Sequence, residues 1–432
     1  MRSNAASRRS GMAEAGAQAT TRRDVGVWGV SFLALNGMIG AAIFGLPAKL
    51  DAAVGAFAPW LFLLAGAGVM LIALCYADLA SRFDRSGGPQ LYASAAFGPF
   101  VGFQAGWMIY VSRAAALGAN ATVLAAYAGA LWRPLDGPAT IIVTVTAITL
   151  VNVVGVRRAV RTLGGLTFLK LLPLVLLAIA GLVAIPFPQP ALPELGAAEG
   201  VSLAALYAFV GFEAATVPAG ETRDPKRAIP KALLLTVALV TLFYFLVQAA
   251  YSGADIPAGD TPLADLASSL VGPGGAILIG ITAILSVLAN QLSAVTATSR
   301  LSSSLSDQGL LPGWFGRISP RFATPSNSIW LFGGLGLALA LTGTFVTLAI
   351  ISSLARLFAY FACIVAVPRL DLMGGTIRWF RGVALPLVAG SLCIWAAAQS
   401  KASEWTTFAL FALAGAILYA VARWARRGET QA

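Results

Sequence analysis

The chain has 432 residues, of which 58% are hydrophobic and only 11% charged, and its net charge is +11. A soluble protein of this length carries about a quarter of its residues as charges, so this composition excludes the soluble globular class. The sequence contains no histidine, and its three cysteines form no CxxC pair, which argues against His-dependent membrane enzymes, zinc sites and disulfides.

Apolar runs recur along the whole chain, and each is long enough to cross a ~30 Å hydrocarbon core as a helix. They predict an all-α integral membrane protein with twelve spans. The predicted spans are residues 26–47, 57–80, 97–131, 138–156, 163–186, 200–220, 232–252, 272–305, 328–346, 349–368, 383–399 and 404–424. The third and eighth are too long for a straight crossing, so we expect them to tilt or to extend past the bilayer.

Basic residues predict the orientation in the membrane. If the N-terminus is cytoplasmic, 23 of the 29 Lys and Arg residues fall on the cytoplasmic side and 3 on the other side. This is the positive-inside pattern, so residues 1–25 are predicted to be a disordered cytoplasmic tail and residues 425–432 a second cytoplasmic tail. The positive charge then needs no nucleic acid partner, and the protein is expected in the cell membrane.

Two spans carry the same unusual pattern of glycine and proline. The first span contains NGMIGAAIFGLP, and the sixth contains YAFVGFEAATVPAGE. Gly40 precedes Pro47 by seven positions, and Gly211 precedes Pro218 by seven positions. Glycine and proline weaken a helix, so both spans are predicted to be broken. Each unit would have five spans, and because this number is odd, the second unit is inverted relative to the first. Paired broken helices at matching places in two inverted units indicate a transporter's binding site.

Unwound backbone exposes N–H and C=O groups, which are tolerated at membrane depth only beside a cavity or buried in protein. The N-terminus of a half-helix favours a carboxylate, and the C-terminus of a half-helix favours an ammonium group. The pattern therefore predicts a site for a zwitterion such as an α-amino acid. The alternative is that these small residues only allow close helix packing.

Four stretches resemble the amino acid–polyamine–organocation permeases. They are GMIGAAIFGLP, SGGPQLYASAAFGPFVGFQAGW, GFEAATVPAGETRDPKRAIPKA and SRLSSSLSDQGLLP. The resemblance implies a leucine-transporter fold with a 5+5 inverted repeat, discontinuous first and sixth spans, and alternating access. The first repeat would be residues 26–186, the second 200–368, and two further helices would occupy 383–424.

The resemblance also implies where the substrate binds. The implied binding residues are Met38, Ile39, Gly40, Ala41, Ala42, Tyr110, Tyr207, Ala208, Phe209, Gly211 and Asn290. Tyr207 stands where arginine–agmatine antiporters carry a gating Trp, so it is expected to be part of an outer gate. Ala42 departs from the usual Gly-small-Gly pattern, and its methyl group narrows the space through which a substrate carboxylate can approach the backbone.

Lys170, Glu213, Arg113 and Arg356 lie away from the ends of predicted spans, where ionisable residues are functional candidates. Lys170 either extends its amine to the lipid headgroups of the inner leaflet, or it replaces a bound sodium ion. Proton-coupled members of the family are similar here, since they also carry a lysine at the matching position. Glu213 either caps the inner half of the sixth span or carries protons. Arg113 and Arg356 need partners or a water-filled cavity, and Glu213 is a possible partner for either.

The sequence as a whole predicts a secondary active transporter and not an enzyme, since no catalytic set of side chains is apparent. Proton-coupled symport of a small neutral amino acid is the preferred interpretation. Exchange of amino acids, transport of polyamines or cationic amino acids, and a non-transporting sensor remain as alternatives. The expected partners are the amino acid and the lipid bilayer; no cofactor beyond the proton is expected, and a monomer and a homodimer are equally compatible with the sequence.

Overall fold

The computed structural model describes residues 25–84, 87–155, 167–194, 196–254 and 256–429. These residues are almost entirely helical, and they contain no β-strand apart from one isolated parallel bridge between Val25 and Thr222. The all-α fold predicted from the sequence is therefore confirmed. The expected disordered tail lies outside the described residues except at its last position, Val25.

The helices are numbered here in chain order. They are α1 (Val27–Met38), α2 (Ala42–Gly45), α3 (Pro47–Val54), α4 (Ala58–Arg82), α5 (Pro89–Phe97), α6 (Pro99–Leu131), α7 (Pro138–Val154), α8 (Thr167–Ala184), α9 (Ala197–Tyr207), α10 (Pro225–Ser252), α11 (Pro262–Val271), α12 (Pro273–Asp307), α13 (Ser326–Thr342), α14 (Phe345–Met373), α15 (Leu385–Ala398) and α16 (Ala402–Glu429). A 3₁₀ helix follows α9 at Phe212–Glu221, and a π-helical turn at Trp379–Ala384 leads into α15.

Each of the twelve predicted spans coincides with a helix. Within the described residues, nine helical segments are long and apolar enough to cross a membrane, and the predicted fourth, fifth and ninth spans are shorter apolar helices. The third and eighth spans are single helices of 33 and 35 residues, which corresponds to about 50 Å at 1.5 Å per residue. Three further helices, α3, α5 and α11, occupy connections for which the sequence predicted no helix.

Proline and glycine set many of the helix ends. Proline stands at the first positions of α6 and α7, where its missing N–H costs no helical hydrogen bond. The chain leaves α7 through Gly155, whose φ of +77° lies in the left-handed region that glycine adopts without strain. These residues give each span a defined length before any tertiary contact forms.

The helices pack as two groups around separate apolar clusters. One cluster draws mainly on α1, α4, α9 and α10, and α4 and α10 pack along each other. The other draws mainly on α6, α7, α12 and α13. Helix α14 packs against α6 of the second group and α4 of the first. The space between the two groups is where the broken segments of the chain meet.

Four charged residues form a cluster at the ends of α4 and α14, and this four-charge cluster consists of Asp78, Arg82, Asp371 and Arg378. Nη1 and Nη2 of Arg378 donate to the two oxygens of Asp78 at 2.6 and 2.9 Å, and Arg378 also binds Asp371 at 3.0 Å. Arg82 bridges to Asp78 and, at 2.9 Å, to Asp371. The hydrogen bond to Asp78 raises the pKa of Arg378 above its usual value although partial burial opposes the shift, so this cation stays protonated.

Candidate functional site

The helical part of the first span is interrupted in its middle. Helix α1 ends at Met38, the chain leaves the helix at residues 39–41, and α2 begins at Ala42. Leu46 has helical backbone angles, φ −83° and ψ −34°, so α2 continues into α3 as one half-helix. The first N–H groups of this half-helix have no partner within it. The predicted break in the first span is therefore present, at the residues that the glycine pattern indicated.

The sixth span is broken at the same level. Helix α9 ends at Tyr207, and the 3₁₀ helix begins after Gly211, whose φ is +114°. A Cβ atom built on Gly211 would lie 2.5 Å from the carbonyl oxygen of Gly37. Only glycine allows both this backbone conformation and this close approach. The two breaks thus touch each other, backbone to backbone.

A cavity of about 120 Å³ lies beside the two breaks, lined by α1, α2, α6, α9, α12 and α14. Pockets for drug-sized ligands occupy about 300–1,000 Å³, so this cavity suits a small molecule. Its lining residues are Leu33, Asn36, Gly37, Met38, Gly40, Ala41, Ala42, Arg113, Ala116, Leu117, Asn120, Tyr207, Val210, Gly211, Ala214, Asn290, Gln291, Ser293, Ala294, Ala297 and Arg356.

Two side-chain amides hold the unwound backbone of the first span. Oδ1 of Asn120 accepts a hydrogen bond from the Ala41 N–H at 3.2 Å, and its Nδ2 donates to Oδ1 of Asn290 at 3.3 Å. Nδ2 of Asn290 donates in turn to the carbonyl oxygen of Asn36 at 2.6 Å. The amides therefore replace part of the hydrogen bonding that the helix loses at the break, and they place α6 and α12 against α1.

Glu213 and Arg356 form a buried ion pair next to the cavity. The distance from Arg356 Nε to Glu213 Oε1 is 3.1 Å, and the two side chains are 4% and 1% exposed. Glu213 Oε2 accepts hydrogen bonds from the Gly211 N–H at 3.1 Å and from the Tyr360 hydroxyl at 2.9 Å. The carboxylate thereby fastens the turn of the sixth span to α14, which agrees with its predicted capping role.

Several polar groups at the cavity have no protein partner. Gln291 is fully buried, and neither its Nε2 nor its Oε1 makes a hydrogen bond within the described residues; the same holds for Nη1 of Arg356. A buried polar group without a partner costs about 1–3 kcal/mol. Such groups beside a cavity are typical of a site whose ligand supplies the missing acceptors and donors.

Tyr207 lines the cavity at the end of α9, where it meets the first residue of α14. Its ring packs edge-on against Phe345, with 6.1 Å between ring centroids, and its hydroxyl lies 3.5 Å from Asn120 Oδ1. Only 5% of the residue is exposed. Tyr207 thus lies between the helix break and the start of α14, and its role as a gate stays a prediction.

The predicted binding residues divide into two sets. Seven of them line the cavity: Met38, Gly40, Ala41, Ala42, Tyr207, Gly211 and Asn290. The other four lie elsewhere. Ile39 and Ala208 are buried in the apolar cluster of the first group, and Phe209 packs against Phe62 and Tyr244 with centroids 6.3 and 5.7 Å apart.

Tyr110 differs most from its expected position. It stacks on Trp107 at 5.1 Å and meets Phe332 of α13 at 5.4 Å, beside a separate apolar groove. Tyr110 precedes Asn120 by ten residues, which places it about 15 Å farther along the axis of α6. Its ring lies against α13 and this groove, whereas Arg113, about one turn farther along α6, lines the cavity.

Lys170 lies at the beginning of α8. Its backbone lies in α8, but its side chain falls outside the part of the chain that is described. The two interpretations of this residue made from the sequence therefore both stay open.

Asn120 and Gln291 are functional candidates that the sequence analysis missed. Both are amides within long apolar helices, and an amide at such a position needs a partner inside the protein. Arg113 and Arg356 were recognised, and the structure shows that both line the cavity and that Arg356 is the partner of Glu213.

Comparisons with known proteins agree with this architecture. The family model described as amino acid permease matches residues 25–370. The methylthioribose transporter of Bacillus subtilis is 26% identical over 436 residues, and the branched-chain amino acid permease of the same organism is 27% identical over 435 residues; in both cases 92% of each chain is covered. An uncharacterized transporter of Mycobacterium tuberculosis is 29% identical over 337 residues, 74% of each chain.

Proposed function

Because the chain belongs to the amino acid permease family, we propose that it is a secondary active transporter of a small α-amino acid, coupled to protons and working by alternating access. The observation that carries this proposal is the cavity at the two touching helix breaks. The half-helix that begins at Ala42 offers N–H groups to a carboxylate, and the C-terminal ends of α1 and α9 offer carbonyl groups to an ammonium group.

The size of the cavity supports a small substrate. The Ala42 methyl group lines it, and so do Ala116 of α6 and Ala294 and Ala297 of α12. One relative is named for branched-chain amino acids, whose side chains are neutral, and this name supports the neutral side chain favoured by the sequence. Arg113 in the lining favours an acidic side chain instead. The same arginine argues against polyamines and cationic amino acids, because like charges repel strongly in a partly desolvated site.

Proton coupling is assigned to Lys170. A lysine that is withdrawn from water loses its proton more readily, and a change in its charge would alter the balance between outward-facing and inward-facing states. The resemblance to proton-coupled permeases at this position supports the assignment. Glu213 is proposed to be a fixed charge and not a proton carrier, because a guanidinium, a hydroxyl and a backbone N–H all stabilise its anionic form.

The direction of opening follows from the predicted topology. With both termini in the cytoplasm, residues 33–37 of α1, Arg113 of α6 and residues 293–297 of α12 lie on the cytoplasmic side of the breaks. Since Arg113 and three residues of each of these two ranges line the cavity, we propose that this conformation is accessible from the inside, with Tyr207 and Phe345 closing the outer side.

Uptake by the purified full-length chain in proteoliposomes tests the proposal. All twenty amino acids are screened as labelled substrates, with and without an inward proton gradient, and with unlabelled amino acid either present or absent inside. Gradient-driven accumulation into vesicles without internal amino acid is the expected result.

The other outcomes separate the alternatives. Uptake only into preloaded vesicles would replace symport by exchange. Binding of an amino acid without flux would indicate a sensor. Neither binding nor flux of any amino acid, by protein that unfolds cooperatively on heating, would overturn the proposed function.

A further inference from the structure

The cavity carries an excess of positive charge. Its lining includes Arg113 and Arg356 and, among the described residues, no Asp or Glu. Glu213 lies behind the lining, and its carboxylate is already bound to Arg356, Tyr360 and the Gly211 N–H. The single carboxylate of Glu213 is therefore set against two guanidinium groups. It neutralises Arg356, and the positive charge of Arg113 is not neutralised.

Arg113 is the cation without a partner. It makes no hydrogen bond and no ion pair with the described residues. The carboxylate of Glu213 attracts it from a distance, and the guanidinium group of Arg356 repels it. An isolated guanidinium at membrane depth is unfavourable, and such residues pair with another group or face a water-filled path. Here the group faces the cavity, where an anion would neutralise it.

The neighbouring groups suit an anion as well. Nη1 of Arg356 and Nε2 of Gln291 are buried donors without acceptors, and both residues line the same cavity as Arg113. Two guanidinium groups and an amide form a set of donors that matches the oxygens of a carboxylate. A neutral aliphatic side chain in this position would leave all of these donors without partners.

The spacing along α6 separates Arg113 from the helix breaks. Arg113 precedes Asn120, which holds the Ala41 N–H, by seven residues or about 10 Å along α6, and the length of the arginine side chain shortens that distance. A ligand whose α-carboxylate and ammonium lie at the breaks thus extends its side chain toward Arg113.

We infer that the substrate is a dicarboxylic α-amino acid and that Arg113 determines this specificity by binding the side-chain carboxylate. The inference rests on the proposed transport function and replaces the neutral substrate that the sequence favoured. Arg356 has a different role, because its guanidinium group pairs with Glu213 and also lines the cavity.

Binding of L-glutamate and L-glutamine to the purified full-length protein tests this inference, because the two ligands differ in charge but hardly in size. The wild-type protein is expected to prefer glutamate by at least about tenfold. Arg113→Gln is expected to weaken glutamate binding by about 10–100-fold, equivalent to the net loss of one hydrogen bond to a charged group, and to change glutamine binding by less than about threefold. Arg113→Lys retains the charge but loses the two-pronged geometry, so it restores part of the preference.

Arg133→Gln is the matched control, since it removes the same charge from an exposed position next to the end of α6. It is expected to bind both ligands as the wild type does. Equal weakening of glutamate and glutamine in Arg113→Gln would overturn the inference, because Arg113 would then serve the α-carboxylate or the fold. Uptake of neutral amino acids by a wild-type protein that ignores glutamate and aspartate would also overturn it, while leaving the transport function intact. Absence of any amino acid flux would instead count against the transport function itself.

Discussion

Arg356 Nε and Glu213 Oε1 lie 3.1 Å apart in the interior of the protein, and they join the turn of the broken sixth span to α14. Both side chains are almost fully withdrawn from solvent. Removing one member of such a pair leaves the other as an uncompensated buried charge, which costs far more than the pair itself contributes. Changing one of the two residues is therefore expected to lower the stability of the protein and to alter the shape of the site.

Glu213→Gln is expected to destabilise the protein by about 3–5 kcal/mol, because Arg356 then keeps its charge without a counter-ion. Thermal unfolding in detergent, followed by tryptophan fluorescence, measures the change. The double variant Glu213→Gln/Arg356→Met should regain most of the lost stability, since neither member of the pair is then left as an uncompensated charge.

The exposed pair of Lys49 and Asp260 serves as the control, with a distance of 2.9 Å and side chains 44% and 78% exposed. Asp260→Asn is expected to change the stability by less than about 1 kcal/mol. If the double variant proved no more stable than Glu213→Gln alone, the two residues would not be energetically coupled.

Gly211→Ala should impair both folding and transport. A residue with a side chain at φ +114° is strained by about 1–3 kcal/mol, and its Cβ would also press on the Gly37 carbonyl at 2.5 Å. Gly334→Ala is the matched control, because Gly334 lies within α13 with open space around the added atom. Unfolding temperature and uptake of the two variants provide the comparison, and equal behaviour would refute the close approach of the two breaks.

Tyr207→Ala is expected to lower the accumulated substrate at least about tenfold, because the edge-on contact with Phe345 that closes the cavity is lost. Tyr207→Phe keeps the ring and gives up only the long contact of 3.5 Å between the hydroxyl and Asn120, so it should stay within about threefold of the wild type. Steady-state accumulation in proteoliposomes measures both. A larger defect in the Phe variant would mean that the hydroxyl contacts substrate.

Lys170→Ala should abolish the dependence of uptake on external pH while substrate binding stays measurable. A side chain that cannot take up a proton cannot link protonation to the change between outward-facing and inward-facing states. Lys226→Ala, at an exposed position in α10, controls for the loss of a lysine. Uptake by Lys170→Ala that still responds to pH would remove Lys170 from the coupling mechanism.

The helices could be predicted because the bilayer imposes a simple requirement on the sequence. Each crossing must satisfy its backbone internally over a fixed thickness, so length and hydropathy suffice to locate it. The two breaks could also be predicted, since the glycine pattern pointed to residues 39–41 and to Gly211, and at Gly211 the backbone conformation and the close contact tolerate no side chain. The assignment of the chain to two inverted repeats stays a prediction.

The details of the site depend on contacts between distant parts of the chain. Neither the pairing of Arg356 with Glu213 nor the amide chain through Asn120 and Asn290 follows from any local pattern. The pattern of a long helix does not show which neighbouring helix a residue meets, and for this reason Tyr110 was placed in the site although it packs against Trp107 and Phe332 elsewhere.

The four-charge cluster also has a consequence for the order of biosynthesis. Asp78 and Arg378 are 300 residues apart in the chain, and a ribosome adding about 5–20 residues per second needs on the order of 15–60 s to cover that distance. Until then Asp78 has Arg82 but lacks the guanidinium that binds both of its oxygens. A nascent chain that stalls before residue 378 presents an incompletely neutralised carboxylate, that of Asp78, at the end of α4, and this charge is neutralised only once Arg378 has been added.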